Sequence, residues 1–303
     1  MELSKLVTET RNPNTYQLDE MDALGIVRAM NVEDRKTIEA VEKEAEHIAE
    51  VIDAVVERMR AGGRLIYCGA GTSGRLAVLD AVECVPTFGM AKDRVIALLA
   101  GTAADSQAKE EAEDDPVLAV NSLKMIDLQS NDVLIGVAAS GRTPYVIGAL
   151  DYAKEKKAMT VSIACNPNCE MTKHADLAIE LNNGPEVLTG STRLKAGTSQ
   201  KMVLNMITTA SMILMGKVYE NLMVDVEVSN EKLKQRWINI VREITGCEYE
   251  EADEYYSLSE GNAKVASIMI MHHCSSEVAR QLLTKYNGFL KPCLASVKET
   301  ENV

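Results

Sequence analysis

The sequence has few aromatic residues and few histidines, and it has no long hydrophobic run. Phe, Trp and Tyr make up 4% of the 303 residues, and only four histidines are present. The histidines show no metal-ligand spacing such as H-E-x-x-H, so we expect no metal site. No apolar stretch reaches the roughly 20 residues that a transmembrane helix needs, so we expect no membrane span.

Positive charge is in deficit. The chain has 45 Asp and Glu against 32 Lys and Arg, which gives a formal net charge of −13. Nucleic acids and anionic membranes are bound by accumulated Lys and Arg, so this balance argues against both as partners. An anionic ligand must therefore meet a local positive site.

The cysteines and the N-terminus give an expectation for the cellular compartment of the protein. The seven cysteines are odd in number and scattered, which is typical of thiols in a reducing compartment. Cys165 and Cys169 have three residues between them and no second pair, so a metal site there is not favoured. The N-terminus has no basic leader followed by an apolar stretch, so we expect a cytoplasmic protein.

Apolar segments of strand length alternate with helical stretches. The predicted strands are Arg64–Cys68, Val95–Ala100, Asp132–Ala138, Met159–Ala164 and Asp176–Glu180. Helical spacing covers residues 16–30 and 32–61, and the second helix is predicted to open at Asn31. Strands that alternate with helices form a parallel sheet covered on both faces, so we expect an α/β three-layer sandwich. Ligands of such sheets bind at the carboxyl ends of the strands.

A glycine-rich turn follows the first predicted strand. Gly71 lets the backbone approach an anion, while Thr72 and Ser73 supply hydroxyls beside the free N–H groups of the next helix. We therefore expect a phosphate cradle at these three residues. The turn also matches the dinucleotide fingerprint G-x-G-x-x-G. However, the acid that a dinucleotide fold needs, Asp93, precedes the next strand instead of following it, so nicotinamide binding is not favoured.

A second loop of similar chemistry follows the third predicted strand. Ser140 and Thr143 are hydroxyls that can donate to phosphate oxygens. Gly141 permits close approach, Arg142 adds a positive charge, and Pro144 suits the first turn of the next helix. A Ser or Thr before a helix is commonly a cap, so each hydroxyl alone has that alternative explanation. Two such loops on one sheet favour phosphate binding.

A third polar cluster precedes a long helix predicted from about Leu194 to Tyr219. Here Glu186 is a candidate for binding sugar hydroxyls, and Ser191, Thr192 and Lys195 are candidates for the phosphate. The alternative is a capped and solvated loop.

The sequence changes in character after about Arg242. Three short helices are predicted there, with Ser275 at a helix start and Asn287-Gly288 at a stop. We therefore expect one domain over residues 1–242 and a small helical bundle over residues 243–303.

Several of these segments together carry a family resemblance. They are residues 65–75, 80–87, 111–115, 139–145, 184–187, 195–198 and 221–225. In them the chain resembles the N-acetylmuramic acid 6-phosphate etherases, which are built on the sugar isomerase (SIS) domain. The resemblance implies a flavodoxin-like SIS fold and cleavage of the lactyl ether of N-acetylmuramic acid 6-phosphate. The implied products are N-acetylglucosamine 6-phosphate and D-lactate, formed without a cofactor during recycling or salvage of cell-wall sugars. A homodimer is expected, since this pairing is common for the domain and C₂ symmetry is the default.

The resemblance places the family's two catalytic glutamates at Glu83 and Glu113. Elimination of the ether needs one carboxylate to remove the C2 proton and one carboxylic acid to protonate the departing lactate oxygen. We assign Glu83 as the acid and Glu113 as the base. The apolar neighbours of Glu83 predict a poorly solvated side chain, whereas Glu113 lies in an acidic run of the kind that is usually solvated.

Two other functions stay open at this point. A non-catalytic sugar-phosphate sensor, resembling the glucokinase regulatory protein, would keep the cradles without needing both glutamates. An aldose–ketose phosphosugar isomerase would share the fold, but it gives no reason for the pairing of Glu83 and Glu113. Analysis of the products distinguishes all three.

Overall fold

The chain forms a five-stranded parallel sheet, as the alternation of strands and helices predicted. The structure is a computed structural model that describes residues 6–101 and 110–296, without the side chain of residue 110. The strands are β1 Leu65–Gly69, β2 Val95–Leu99, β3 Val133–Ala138, β4 Met159–Ala164 and β5 Leu177–Glu180. Each lies within one residue of its predicted bounds.

The strand order places the two predicted phosphate loops side by side. The order is β2-β1-β3-β4-β5, which is the flavodoxin-like order. All neighbouring strands are parallel, and Gly69 at the end of β1 pairs with Val137 near the end of β3. The direction in which strands are added reverses between β1 and β3, and ligands bind at such a switch point.

Thirteen α-helices occur in the described residues. They are α1 Ala23–Lys43, α2 Ala45–Arg60, α3 Gly71–Phe88, α4 Glu110–Glu113, α5 Pro116–Met125, α6 Pro144–Glu155, α7 Glu170–Lys173, α8 Lys195–Leu214, α9 Glu231–Thr245, α10 Tyr249–Leu258, α11 Ala263–His272, α12 Ser276–Lys285 and α13 Leu290–Ala295. Short 3₁₀ turns precede α1. None of these helices is long and apolar enough to cross a bilayer.

Helices cover both faces of the sheet, which confirms the predicted three-layer architecture. On one face, α5 and α6 pack on buried strand residues that include Ile66, Cys68 and Leu134. On the other face, Tyr67 reaches α3, where its hydroxyl donates to Asp80 Oδ2 at 3.0 Å. Since side chains alternate along a strand, neighbouring residues of β1 serve opposite layers.

The helices before β1 differ from the prediction. The predicted start at Asn31 is wrong, because α1 continues through that residue. Its N-cap is Asp22, whose Oδ1 accepts from the Gly25 N–H at 2.7 Å, and the break before α2 falls at Glu44. No glycine or proline near Asn31 would stop a helix. As a result, Glu33 lies in the middle of α1 and is buried, not in a solvated first turn.

The predicted long helix after β5 is shorter than expected. Helix α8 ends at Leu214, and Gly216 beyond it has a φ of +76°, a left-handed conformation that ends helices. The predicted cap at Ser275 is confirmed, because its Oγ accepts from the Val278 N–H at 3.4 Å. Four helices, α10 to α13, begin after residue 242 in the described residues, where three were predicted.

The chain divides into two compact units. One comprises residues 1–82 and 92–208 and contains the sheet; the other comprises 83–91 and 209–303. The second unit has its own core around Trp237, whose Nε1 donates to Gly261 O at 2.7 Å. This division assigns residues 209–242 to the second unit. The predicted functional division into 1–242 and 243–303 stays a prediction.

Candidate active site

The loop after β1 is compact because of its glycines. The Gly74 N–H donates to Ala70 O at 2.9 Å. A Cβ on Gly74 would lie 2.5 Å from Leu99 Cδ1 and 2.6 Å from Gly69 O, so no larger residue fits there without a shift. Gly71 has a φ of +51°, and a Cβ on it would meet no described atom within 4 Å. The start of α3 is thus close to β1, while Gly71 has open space, as a phosphate cradle needs.

The side chains of Thr72 and Ser73, in the first turn of α3, lie against the start of α8. Ser73 is buried, and its Oγ donates to Gln200 Oε1 at 2.8 Å. Thr72 is partly buried, and its Cγ2 lies 3.5 Å from the position that a Cβ on Gly197 would take. The structure therefore brings the first predicted loop next to the third polar cluster.

Thr143 connects the second predicted loop to Glu113. The Thr143 Oγ1 donates to Glu113 Oε1 at 3.0 Å. Thr143 is the N-cap residue of α6, yet its side chain makes no capping hydrogen bond. Capping therefore does not explain the hydroxyl at this position. Glu113 is the last residue of α4 and is partly buried. The carboxylate predicted as a base therefore lies at the loop that follows β3.

The rest of the second loop borders a cavity of about 210 Å³. The cavity is lined by Leu6, Ser140, Arg142, Cys169 and Glu170. Gly141 has a φ of +68°, and a Cβ there would lie 2.4 Å from Cys169 Sγ. The Arg142 side chain is exposed, and the Arg142 backbone N–H donates to Ser140 Oγ at 3.4 Å. The loop thus presents a hydroxyl and a guanidinium to a cavity at the carboxyl edge of the sheet.

Glu186 caps helix α8. Its Oε2 accepts from the Lys195 N–H at 3.0 Å, and its Oε1 accepts from the Ala196 N–H at 2.9 Å. Burial raises the pKa of Glu186, and these two backbone hydrogen bonds partly offset that rise. Ser191 is partly buried in the turn before α8, where its carbonyl accepts from the Leu194 N–H at 3.1 Å. The structure thus favours the capping alternative for Glu186. The predicted contacts of Glu186 with sugar hydroxyls and of Ser191 with phosphate stay predictions.

Lys195 forms a buried ion pair with Glu33. Its Nζ is 2.9 Å from Glu33 Oε2, and the two side chains are 0% and 1% exposed. The side chains of Asn12, Asn14 and Lys36 also donate to the Glu33 carboxylate. Burial alone would raise the pKa of Glu33, but the hydrogen bonds from Lys36, Lys195 and the two asparagines outweigh it and lower the pKa to about 2. The predicted contact of Lys195 with phosphate stays a prediction that requires this pair to open.

The segment before α1 is held along the carboxyl edge of the sheet. The Thr8 N–H donates to Asn166 Oδ1 at 3.3 Å, and Asn166 Nδ2 donates to Ala139 O at 3.0 Å. Farther along, Thr15 Oγ1 donates to Val187 O at 2.8 Å. These bonds connect the N-terminal segment to the loops after β3, β4 and β5, so it forms one wall of the candidate site.

Comparison with known proteins identifies the family. Residues 47–154 match the model of the glucokinase regulatory protein N-terminal SIS domain, and residues 110–210 match that of the SIS domain. The N-acetylmuramic acid 6-phosphate etherase of Geobacillus sp. (strain WCH70) is 54% identical over 293 residues, covering 96% of this chain and 99% of that protein. The etherase of Actinobacillus pleuropneumoniae serotype 7 (strain AP76) is 50% identical and covers 97% of each chain. The chain belongs to the N-acetylmuramic acid 6-phosphate etherase family.

A solved structure agrees on the fold of this etherase-family chain. A phosphoheptose isomerase from Francisella tularensis has a TM-score of 0.51 at 14% sequence identity, and the match covers 63% of this chain and 98% of that chain. A likeness at this identity speaks for the fold alone. The predicted SIS architecture is confirmed.

The two glutamates implied by the etherase resemblance lie in different settings. Glu113 contacts the second loop through Thr143. Glu83 is exposed, so the poorly solvated setting predicted for it is wrong in the single chain. Glu83 follows Gly71 by twelve residues on α3, which at 1.5 Å per residue is about 18 Å along the helix axis. The structure therefore places Glu113 at the second loop, and the catalytic role of Glu83 stays a prediction.

The buried acid of α3 is Asp80, which sequence reasoning missed. Asp80 accepts from Tyr67 Oη at 3.0 Å and from Thr208 Oγ1 at 3.1 Å. Burial raises its pKa, and these two hydrogen bonds partly offset the rise. A signal was present, since Asp80 shares a helix face with Ala77 and Cys84, both of which are buried.

Glu33 was likewise missed as a member of the site region. It shares a face of α1 with Thr37 and Ala40, at spacings of four and seven residues, and all three are buried. That pattern predicts an inward position, but it does not reveal that the partner is Lys195, 162 residues away in sequence.

Proposed function

We propose that this protein is a carbon–oxygen lyase that cleaves the lactyl ether of N-acetylmuramic acid 6-phosphate. The products are N-acetylglucosamine 6-phosphate and D-lactate. The observation that carries the proposal is the 54% identity, over nearly the whole of both chains, with a relative of that name. The site supports it, because two hydroxyl-bearing loops flank the switch point of the sheet and one of them holds a carboxylate.

The phosphate of the substrate is assigned to the two loops. Thr72 and Ser73 follow β1, and Ser140 and Thr143 follow β3, which is the neighbouring strand. Hydroxyls and helix N-terminal N–H groups bind a phosphate dianion without a large basic patch, which agrees with the net charge of −13. Arg142 supplies a positive charge beside them.

The two glutamates carry the proton transfers. In the open-chain sugar, Glu113 accepts the C2 proton beside the aldehyde, the electron pair forms a C2=C3 double bond, and the C3–O bond to lactate breaks. Glu83 donates a proton to the departing lactate oxygen. Water then adds across the double bond: its hydroxyl goes to C3, Glu83 takes its proton, and Glu113 returns a proton to C2. The Thr143 hydroxyl holds the orientation of the Glu113 carboxylate.

We place the reaction in the cytoplasm, in the recycling of peptidoglycan amino sugars, and we propose a homodimer as the active form. The mechanism uses proton transfer at an activated carbon and needs no cofactor. Each of these statements follows from the family resemblance and the composition of the chain.

The test is D-lactate release by the purified protein. N-acetylmuramic acid 6-phosphate and the unphosphorylated sugar are supplied separately, with a chelator present and without nucleotide. We expect stoichiometric D-lactate from the phosphorylated sugar only. Binding without lactate would favour the sensor, and conversion to a ketose phosphate would favour the isomerase; either result would overturn the proposal.

A further inference from the structure

Gln200 lies directly behind the first phosphate loop. It is on the second turn of α8, its side chain is 0% exposed, and its Oε1 is 2.8 Å from the oxygen of Ser73. Ser73 is only 7% exposed. Among the described residues, Gln200 Nε2 has no hydrogen-bond partner. A buried amide with both N–H groups unpaired is costly and needs an explanation.

The two ends of the amide have opposite effects on Ser73. When Oε1 accepts from Ser73, the single hydroxyl proton points at Gln200 and is withdrawn from any ligand. When the amide turns by about 180°, Nε2 occupies the same place and donates to Ser73 Oγ, so the hydroxyl proton becomes available to a phosphate oxygen. The terminal torsion of glutamine is broad and roughly two-fold, so it permits this turn. The turn also gives one of the two unpaired N–H groups a partner and leaves the carbonyl unpaired instead, which proteins tolerate better than an unpaired N–H.

We propose that Gln200 is a positioning residue of the phosphate cradle, which turns its amide to donate to Ser73 so that the Ser73 hydroxyl donates to the bound phosphate. The proposal rests on the proposed function, since it assigns the phosphate to this loop. Gln200 does not touch the substrate and acts through Ser73 alone.

The experiment is a double-mutant cycle with Gln200→Met and Ser73→Ala. Methionine keeps the approximate volume and removes both hydrogen-bonding ends of the amide. Affinity for N-acetylglucosamine 6-phosphate is measured by calorimetry, with N-acetylglucosamine as the phosphate-free reference. We expect each single variant to weaken binding of the phosphorylated sugar by about tenfold, which corresponds to about 1.4 kcal/mol. The double variant is expected to bind no more weakly than Ser73→Ala.

A purely structural role for Gln200 predicts different results. Unchanged affinity in Gln200→Met, or losses that add in the double variant, would overturn the proposal. Ser199→Ala is the matched control, because Ser199 is the buried neighbour on α8 that bonds to Asn183 and not to Ser73; its affinity should match the wild type. If Gln200→Met does not fold, Gln200→Asn retains the amide but is too short to reach Ser73, and the same cycle applies. Direct binding keeps this test separate from lactate release, on which the proposed function depends.

Discussion

The hydrogen bond between Thr143 and Glu113 leads to the most direct test of the chemistry. Glu113→Gln keeps the shape of the side chain and its contact with the Thr143 hydroxyl, but the amide does not accept the C2 proton. We expect kcat to fall by at least about a hundredfold, since this is the lower end of general acid–base contributions, with affinity for N-acetylglucosamine 6-phosphate nearly unchanged. Steady-state lactate release and calorimetry measure the two quantities. Asp114→Asn, in the exposed neighbour, is the control, and near-normal turnover of Glu113→Gln would remove Glu113 from the mechanism.

Glu83 needs a test of its own, because its exposed side chain is far along α3 from the cradle. If Glu83 protonates the departing lactate, Glu83→Gln should lower kcat by at least about a hundredfold while product affinity is retained. A substrate analogue whose ether oxygen leaves as a more stable anion should recover part of the loss, because it needs less protonation. A normal rate in the variant would show that another group supplies the proton.

The buried pair of Glu33 and Lys195 predicts a pH dependence of stability. Folding lowers the pKa of Glu33 from 4.5 to about 2, so the ionised form is favoured in the native state. The contribution of ionised Glu33 to the free energy of unfolding is therefore present above pH 4.5 and is lost as the pH falls toward 2. This contribution is roughly 3 kcal/mol. Urea unfolding from pH 7 to 3 measures it. Glu33→Gln should be less stable at pH 7 and should lose less stability on acidification.

Other carboxylates also titrate over this range, so the difference between the wild type and the variant is the informative quantity. Glu39→Gln is the matched control, because Glu39 is exposed on the same helix. An identical pH dependence in the wild type and Glu33→Gln would contradict the prediction.

At the level of elements, the junction of β1 and α3 depends on Gly74. A methyl group there would lie 2.5 Å from Leu99 Cδ1 and 2.6 Å from Gly69 O, so Gly74→Ala must displace the start of α3. We expect a loss of about 1–3 kcal/mol in stability and weaker binding of phosphorylated sugar. Gly197→Ala on α8 is the control, since the nearest atoms would lie 3.5 Å away and alanine favours the helix. Thermal unfolding and calorimetry check both, and equal stability of the two variants would contradict the prediction.

Strands were easier to predict than helix bounds and partners. The sequence of β3 is apolar throughout, which indicates a buried strand. By contrast, the helical spacing around Asn31 does not show where α1 begins. The positions of Thr72 and Thr143, each at the start of the helix that follows its strand, agree with the strand order, because parallel strands end at one edge. The contacts of Ser73 with Gln200 and of Lys195 with Glu33 join residues more than 120 positions apart, and no local pattern encodes such pairs.

For the whole molecule, the exposed apolar side chains of α3 predict the oligomeric state in solution. Leu79 and Val82 are 52% and 62% exposed and lie within four residues of Glu83 on that helix. Since Glu83 is about 18 Å along α3 from Gly71, we expect it to serve the cradle of a second copy in an isologous homodimer. Leu79→Asp should then shift the protein toward monomer, and kcat should fall with it.

Sedimentation equilibrium gives the mass, and lactate release as a function of protein concentration gives the activity of each species. Val117→Asp, which changes an apolar residue of similar exposure on α5, should leave both unchanged. In a mixture of inactive Glu83→Gln and inactive Glu113→Gln chains, mixed dimers should regain one working site each, up to about a quarter of wild-type activity at random exchange. A fully active monomer, or a mixture that stays inactive after subunit exchange, would place both glutamates in the same chain's site.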